Sequence, residues 1–546
     1  VYDIVIRNGL VYDGEGSPPV VADLAVSDGL IALVSPSIGA SARKEIDAKG
    51  RIVIPGFIDP HVHEELTLFS DNAYEPFLRQ GVTTTMNGNC GHSVTPGGTD
   101  YIIDYFYNNG LISAKNKTEF KTRFPTWSSF SEYVEAARGT GTNINLAILL
   151  GHGTIRQFVM DGAHDRPPSL NEKMRIEAIT REGLDQGAWG VSFGLDYVPS
   201  RYAKTEELVD VARIVREYDG IVAAHLRHWI GTVEAVREMV SVCRQTGVRT
   251  QISHLKSNAP DAFEIARRAA DEGLPLRIDT IPKSSGHCNR KDKLLQSIMA
   301  ISDSLFDKGV EGVKRALHTK EGREIIKRDA HAKFGMDKEK VFVVISEDPS
   351  LEGKSIAQIA RERGDVDPTE TMLDLAGDSL QYTFWLGGPT RDDFGRDHSR
   401  VILDNPYVSV GTDRIMGDPD DPLFWYELQR YGGFPTFMKM YRKAGVPVEE
   451  IVRRNTTMVA RHLGIEGRGA LKVGYHADIA VIDLDAYNFP EPEEVDCRKP
   501  QTMATGVEHV LVNGKLAMEG GVIKKESSGK ILLRNENRTT KKEMRK

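Results

Sequence analysis

Short apolar, β-branched runs recur along this 546-residue chain, and five of them end in side chains able to bind a transition metal. The runs are FIDPHVH with His61 and His63, TTTMNGNCG with Cys90, IVAAHLR with His225, TQISHLK with His254, and VSVGTDR with Asp413. His61 and Cys90 are 29 residues apart, as are His225 and His254. A βα unit of a (β/α)8 barrel takes roughly 30 residues, and its strands all end at one mouth. The spacing therefore predicts a parallel, TIM-like barrel with six metal-capable side chains converging at that mouth.

Eight strands can be counted: 56–59, 82–86, 145–150, 190–193, 221–224, 250–253, 274–279 and 407–411. Connecting segments show helical periodicity, with Leu208, Val211, Ala212 and Val215 on one face, and Val236, Met239, Val240 and Cys243 on another. Strands alternating with helices give an α/β fold. Residues 1–57 and 469–525 read differently. Both are short apolar runs punctuated by turns such as NGL, DG and NGK, and neither has enough strands for a core of its own. The two are expected to combine into one small β-sandwich beside a catalytic barrel over 58–468. Two connections are long for βα loops. One, 91–144, is rich in aromatics (Tyr101, Tyr105, Phe106, Tyr107, Trp127). The other carries an insert expected over about 283–343 that folds across the mouth. Residues 526–546 form a polar, basic tail, expected to be frayed or loosely docked.

A net charge of −8 excludes a general nucleic-acid binder. Four cysteines, widely scattered, exclude a disulfide scaffold. With no apolar run long enough to span a membrane and no signal-peptide pattern, a cytoplasmic protein acting on a small-molecule substrate is expected. A homo-oligomer is compatible with all of this. The sequon-like Asn116, Asn455 and Asn537 carry little weight outside a secreted context.

His-x-His on an emerging strand sets both imidazoles on one face. Such a pair can bind one divalent ion or can be a buried hydrogen-bonded pair. Four further strand-end donors favour the metal. Cys90 lies in NGNCG, where glycines allow close approach, and a thiolate suits zinc and can bridge two ions. Its alternative is a buried free thiol. His225 and His254 are imidazole donors whose alternative is a satisfied core histidine. Asp413 can contact metal and also relay a proton. His152, in LLGHG, ends strand three and is expected to line the pocket, while Asp279 ends strand seven with an open role. His287 and Cys288 are adjacent but fall in the long connection.

The combination of VIPGFIDPHVH, GNCG, LLGHGTIR, GAWGVSFGLDYVP, AAHLR, QISHLK, VGTD, YGGFP, RGALKVGYHADIAVID and VEHVLVNG resembles the amidohydrolase superfamily. Within it, the likeness is to the D-aminoacylase (N-acyl-D-amino-acid deacylase) family, over nearly the whole chain. The resemblance implies one tightly bound Zn2+ at Cys90, His225 and His254. It also implies a second, weaker ion at His61, His63 and Asp413, with Cys90 able to bridge. Strand four reads GVSFGL without a lysine, which accords with a thiolate bridge in place of a carboxylated lysine. The implied reaction is cleavage of an amide C–N bond in an N-acyl-D-amino acid or related compound by metal-activated water, with Asp413 as proton shuttle and Lys256 holding the substrate carboxylate. Two motifs depart from the family. DTIPKSSG replaces a tyrosine-rich segment and brings Ser284 and Ser285 to substrate-facing positions. ELQRYGGFPT places Gln429 where the family has an arginine, with Arg430 one step along. A lactam, lactone or ester hydrolase is the alternative on the same site, and a catalytically retired barrel the alternative without activity. A deaminase is disfavoured, because neither His225 nor His254 has a glutamate two residues on.

Overall fold

The computed structural model describes residues 1–70, 74–109, 111–112, 114–161, 165–255, 259–281, 287–290, 309–333, 338–346, 348–377, 383–386, 402–415, 425–426, 429–490 and 502–536. Its centre is a succession of parallel strands: Phe57–Asp59, Val82–Asn87, Asn145–Ile148 running on to Leu150–Gly151, Gly190–Gly194, Ile221–His225, Arg249–Ile252, Leu276–Thr280 and Val408–Val410. Each pairs in parallel with the next. Just past their ends the last and first strands meet. The Asp413 N–H donates to the His61 carbonyl at 2.9 Å, and Arg414–Ile415 pairs in parallel with Val62–His63. This order is consistent with a (β/α)8 barrel, and every sequence-derived strand end lies within two residues of the observed one. These strands are buried without alternation because both faces are covered, even where they carry threonines as in VTTTMN.

The helices between strands follow the sequence periodicity. Thr205–Glu217 buries Leu208, Val211, Ala212 and Val215, and Thr232–Thr246 buries Val236, Met239 and Cys243. Within the ladder, Ile58, Met86, Ala147 and Ala223 form one buried cluster with Val459, Ala460, Leu463 and Ile465.

Both chain ends contribute to a second sheet of nine strands. Its order is Val522–Ile523, Lys515–Glu519, Val507–Val512, Ile479–Ile482, Ile52–Pro55, Tyr2–Val11, Val20–Ser27 and Leu30–Ser35, with Ala42–Asp47 also on Tyr2–Val11. Period-two alternation divides its apolar residues. Ile52, Ile54, Ala480 and Ile482 join the main core, while Val53, Ile479 and Val481 join Ile4, Ile6 and Leu24 in a separate one. A buried polar network links sheet to ladder: Arg468 pairs with Asp478, and Asn145 donates to Asp478 at 3.1 Å and accepts from Asn513 at 2.8 Å.

Two features differ from the sequence expectation. The unit leaving the seventh parallel strand extends past 343. Its four-stranded antiparallel sheet runs Val341–Ile345, Thr383–Leu386, His287–Arg290, Trp425–Tyr426, so its strands come from segments that local pattern cannot pair. The start of the basic tail is not frayed either. Trp189 Nε1 donates to the Leu532 carbonyl at 2.6 Å, Arg534 donates to the Gly464 carbonyl at 2.8 Å, and Ile531 is buried. Apolar Ile531 and Leu532 inside an otherwise polar run are what dock it; 537–546 lie outside the described residues.

Candidate metal centre

All six side chains singled out from the sequence meet at the C-terminal ends of the parallel strands. Cys90 Sγ is their hub, 3.3 Å from His61 Nε2, 3.7 Å from His225 Nδ1 and 3.5 Å from His254 Nε2. His225 Nδ1 lies 2.8 Å from His254 Nε2. On the other side Asp413 Oδ1 is 3.4 Å from His61 Nε2 and 3.3 Å from His63 Nε2. The donors thus fall into two groups that share the sulfur: Cys90, His225, His254 and His61, His63, Cys90, Asp413.

Apart from the 2.8 Å between His225 Nδ1 and His254 Nε2, which an ion would have to widen, these separations of 3.3–3.7 Å fit an ion. Zinc–nitrogen bonds of about 2.0–2.1 Å and zinc–sulfur bonds of about 2.3 Å place tetrahedral ligand atoms about 3.3–3.6 Å apart. The donor chemistry, one thiol with imidazoles and a carboxylate, suits zinc better than magnesium or calcium. Backbone strain marks the same residues. Cys90, His254 and Asp413 all have left-handed backbones, at φ 53°, 34° and 50°. Such conformations cost about 1–3 kcal/mol each in non-glycine residues and concentrate at functional sites. Neighbouring glycines make the approach feasible: a Cβ on Gly411 would come within 2.6 Å of Asp279 Oδ1 and 2.9 Å of His61 Cβ.

Burial sets the electrostatics. It holds His254 well below the ordinary imidazole value, and holds His225 below it despite Asp196, so both rings are neutral and ready to donate lone pairs. It pushes the Cys90 thiol up to about 11, a cost that a bound cation would reverse. His61 behaves oppositely. Burial disfavours its charge, but Asp279 and Cys90 outweigh burial and hold the ring well above its usual value. Asp413 stays ionised because hydrogen bonds from His61 and His63 overcome its burial.

Carboxylates stand behind the histidines. Asp279 Oδ1 is 3.3 Å from His61 Nδ1 and accepts from the His254 N–H at 2.7 Å; its Oδ2 accepts from Gln251 at 2.9 Å. Asp196 Oδ2 lies 3.3 Å from His225 Nε2 and takes a hydrogen bond from His228 Nδ1 at 2.8 Å. Each carboxylate fixes which nitrogen of its partner ring points into the cluster. Tyr197 reaches His225 Nδ1 with its hydroxyl at 3.2 Å. Glu64 and Arg414, each the chain neighbour of a donor, form a buried ion pair at 2.7 Å, and the guanidinium sits 5.0 Å from the Phe77 ring.

Sequence reasoning left the role of Asp279 open and missed Asp196, Tyr197, Glu64 and Arg414. Asp196 and Tyr197 lie two and three residues past a strand end in GLDYVP, and that position was the available signal. His152 is buried with both ring nitrogens engaged, Nδ1 with Ser200 and Nε2 with Glu207, each at 3.0 Å. It ties strand three to the segment after strand four instead of presenting a nitrogen to the donor cluster. Lys256, Ser284 and Ser285 lie outside the described residues, as does the Arg430 side chain, whose helix runs Gln429–Lys443.

A profile of the amidohydrolase family matches residues 44–335 and 399–518. The chain belongs to the amidohydrolase family. This amidohydrolase is 28% identical to a D-aminoacylase of Alcaligenes xylosoxydans xylosoxydans over 98% of each chain. An N-acyl-D-glutamate deacylase of the same organism is 27% identical over 94% of this chain and 93% of its own. Among solved structures, the N-acyl-D-glutamate deacylase of Bordetella bronchiseptica, complexed with zinc and a phosphonate inhibitor, superposes with a TM-score of 0.73 at 24% identity, covering 97% of this chain and 99% of that one. A D-aminoacylase described as having a binuclear metal centre gives 0.74 at 24% identity, over 98% and 100%. Among the described residues no helix is long and apolar enough to cross a membrane.

Proposed function

We propose that this amidohydrolase is a zinc-dependent deacylase that cleaves the amide C–N bond of an N-acyl-D-amino acid or related N-acyl compound. The observation that carries the reading is the sharing of Cys90 Sγ by imidazoles from both donor groups, His61 on one side and His225 and His254 on the other. Cys90, His225 and His254 would hold the tighter ion, and His61, His63 and Asp413 a weaker second one. Zinc bound there supplies Lewis acidity toward the scissile carbonyl and a water acidified toward a pKa of about 7.

The protein's own part is positioning and proton transfer. Asp413, 17% exposed beside the fully buried His61, is the ionised carboxylate that faces an incoming substrate. It accepts the proton as the water oxygen bonds to the carbonyl carbon. It then delivers that proton to the amine nitrogen as the C–N bond breaks, giving a carboxylic acid and a free amine, and the acid loses its remaining proton to solvent. Asp279 and Asp196 keep His61 and His225 oriented throughout.

The same reading makes residues 58–468 a (β/α)8 barrel and joins 1–57 to 469–525 as one β-sandwich, supported by the two-faced core of the nine-stranded sheet. The likeness in sequence to enzymes that act on N-acyl-D-amino acids supports the substrate class. The test is a hydrolysis screen of zinc-loaded protein against N-acyl-D- and N-acyl-L-amino acids, lactams and lactones. Turnover of D-configured N-acyl compounds, abolished by a chelator and restored by zinc, is the expected result. Turnover confined to lactones or esters would overturn the amide assignment.

A further inference from the structure

His225 faces two ways. Its Nδ1 looks into the Cys90 cluster, while its Nε2 looks outward to Asp196 Oδ2 at 3.3 Å, and the same oxygen is 2.8 Å from His228 Nδ1. We propose that Asp196, His225 and His228 form a further site for a divalent transition-metal ion on the outer side of His225, with that imidazole shared between this site and the Cys90 cluster. The three side chains are close enough to ligate one ion together. Strand Ile221–His225 runs directly into the turn His228–Ile230, so the H-L-R-H spacing returns the second imidazole to the side of the first.

Orienting His225 requires only the Asp196 carboxylate. The second imidazole on the same oxygen completes a donor set of two nitrogens and one carboxylate, which selects zinc or copper over magnesium or calcium. Access supports it as well. Asp196, His225 and His228 are 23%, 12% and 14% exposed, whereas the His61 and Asp279 side chains are fully buried. Binding would release the His225 Nε2 proton to solvent, leaving an imidazolate, while the His228 proton would move from Nδ1 to Nε2, so that three lone pairs face the ion. His225 becomes a bridge between two cations, which weakens its bond on the Nδ1 side. Excess metal should therefore slow the enzyme through this site, independently of the His61–His63–Asp413 group.

The test counts bound zinc by equilibrium dialysis of the holoenzyme against rising free zinc, for the wild-type protein, His228→Asn and His63→Asn. Asparagine keeps an N–H donor for Asp196 but is a poor ligand. The expected result is one weakly bound equivalent lost in His228→Asn, with the tight equivalent retained as evidence of an intact fold. A different equivalent is lost in His63→Asn, and both are lost in the double variant. An unchanged count in His228→Asn, or loss of its tight zinc, overturns the proposal. Inhibition by excess zinc should disappear in His228→Asn and persist in His63→Asn. That arm rests on the hydrolase reading; absence of amide turnover in the wild type would sink that reading while the metal count still decides this one.

Discussion

The two halves of the donor cluster share a sulfur but are supported differently. His225 and His254 are neutral, pack ring against ring at 4.4 Å between centroids, and point lone pairs at Cys90. His61 and His63 are tied to the Asp413 carboxylate, and His61 also to Asp279, with the Glu64–Arg414 pair sealed behind them. An ion entering the first half meets neutral imidazoles and has to displace only their mutual contact and the Tyr197 hydroxyl. In the second half it must displace protons from existing ion pairs. One half therefore presents neutral imidazoles and the other a set of balanced charges, a difference that supports the proposed tight ion at Cys90, His225 and His254 even though the other group offers four donors to its three.

The most drastic way to break this comparison is to remove the shared atom. Cys90→Ala should lose most of the bound metal and nearly all turnover, measured by metal analysis and steady-state assay. Full zinc content in that variant would show that the halves do not depend on the sulfur. Asp413→Asn should separate them: the tight ion stays, and kcat falls by about 10²–10⁴, the usual range for loss of a general acid–base group. Near-normal kcat would remove Asp413 from the chemistry.

A smaller effect is expected behind each half. Glu64→Gln breaks a buried pair next to His63 and leaves Arg414 charged, at a cost of about 3–5 kcal/mol. Its thermal midpoint should drop and its kcat fall while the tight zinc remains, and Glu64→Gln/Arg414→Met should regain part of the stability. If the single variant unfolds at the wild-type temperature, the buried ion pair does not stabilise this half. The finest test exchanges the orienting carboxylates. Asp196→Asn should weaken the tight ion by about 10–100-fold, the usual cost of losing a partner that orients a metal-binding histidine. Asp279→Asn should act chiefly on the weaker ion through His61. Equal effects of the two on both ions, read by competition with a chromogenic chelator, would show the halves to be one cooperative unit.

The sequence by itself determined the parallel ladder and the six strand-end donors. Strand and helix periods are local, and a donor that follows a β-branched run can be placed from neighbours in the chain. It also joined the two termini, as one β-sandwich, because neither had strands enough to bury its own apolar face; the structure puts strands of both in one nine-stranded sheet. Only the tertiary structure decided which donors share an atom, which carboxylate orients which imidazole, and that Glu64 pairs with Arg414. These contacts join residues far apart in the chain, 29 positions for Asp196 with His225 and 350 for Glu64 with Arg414, and no local pattern encodes them. The same reason hid the extent of the unit after strand seven, whose antiparallel strands pair across distant segments. It also hid the docking of Ile531 and Leu532, since a polar tail reads as solvated until the groove that receives it exists.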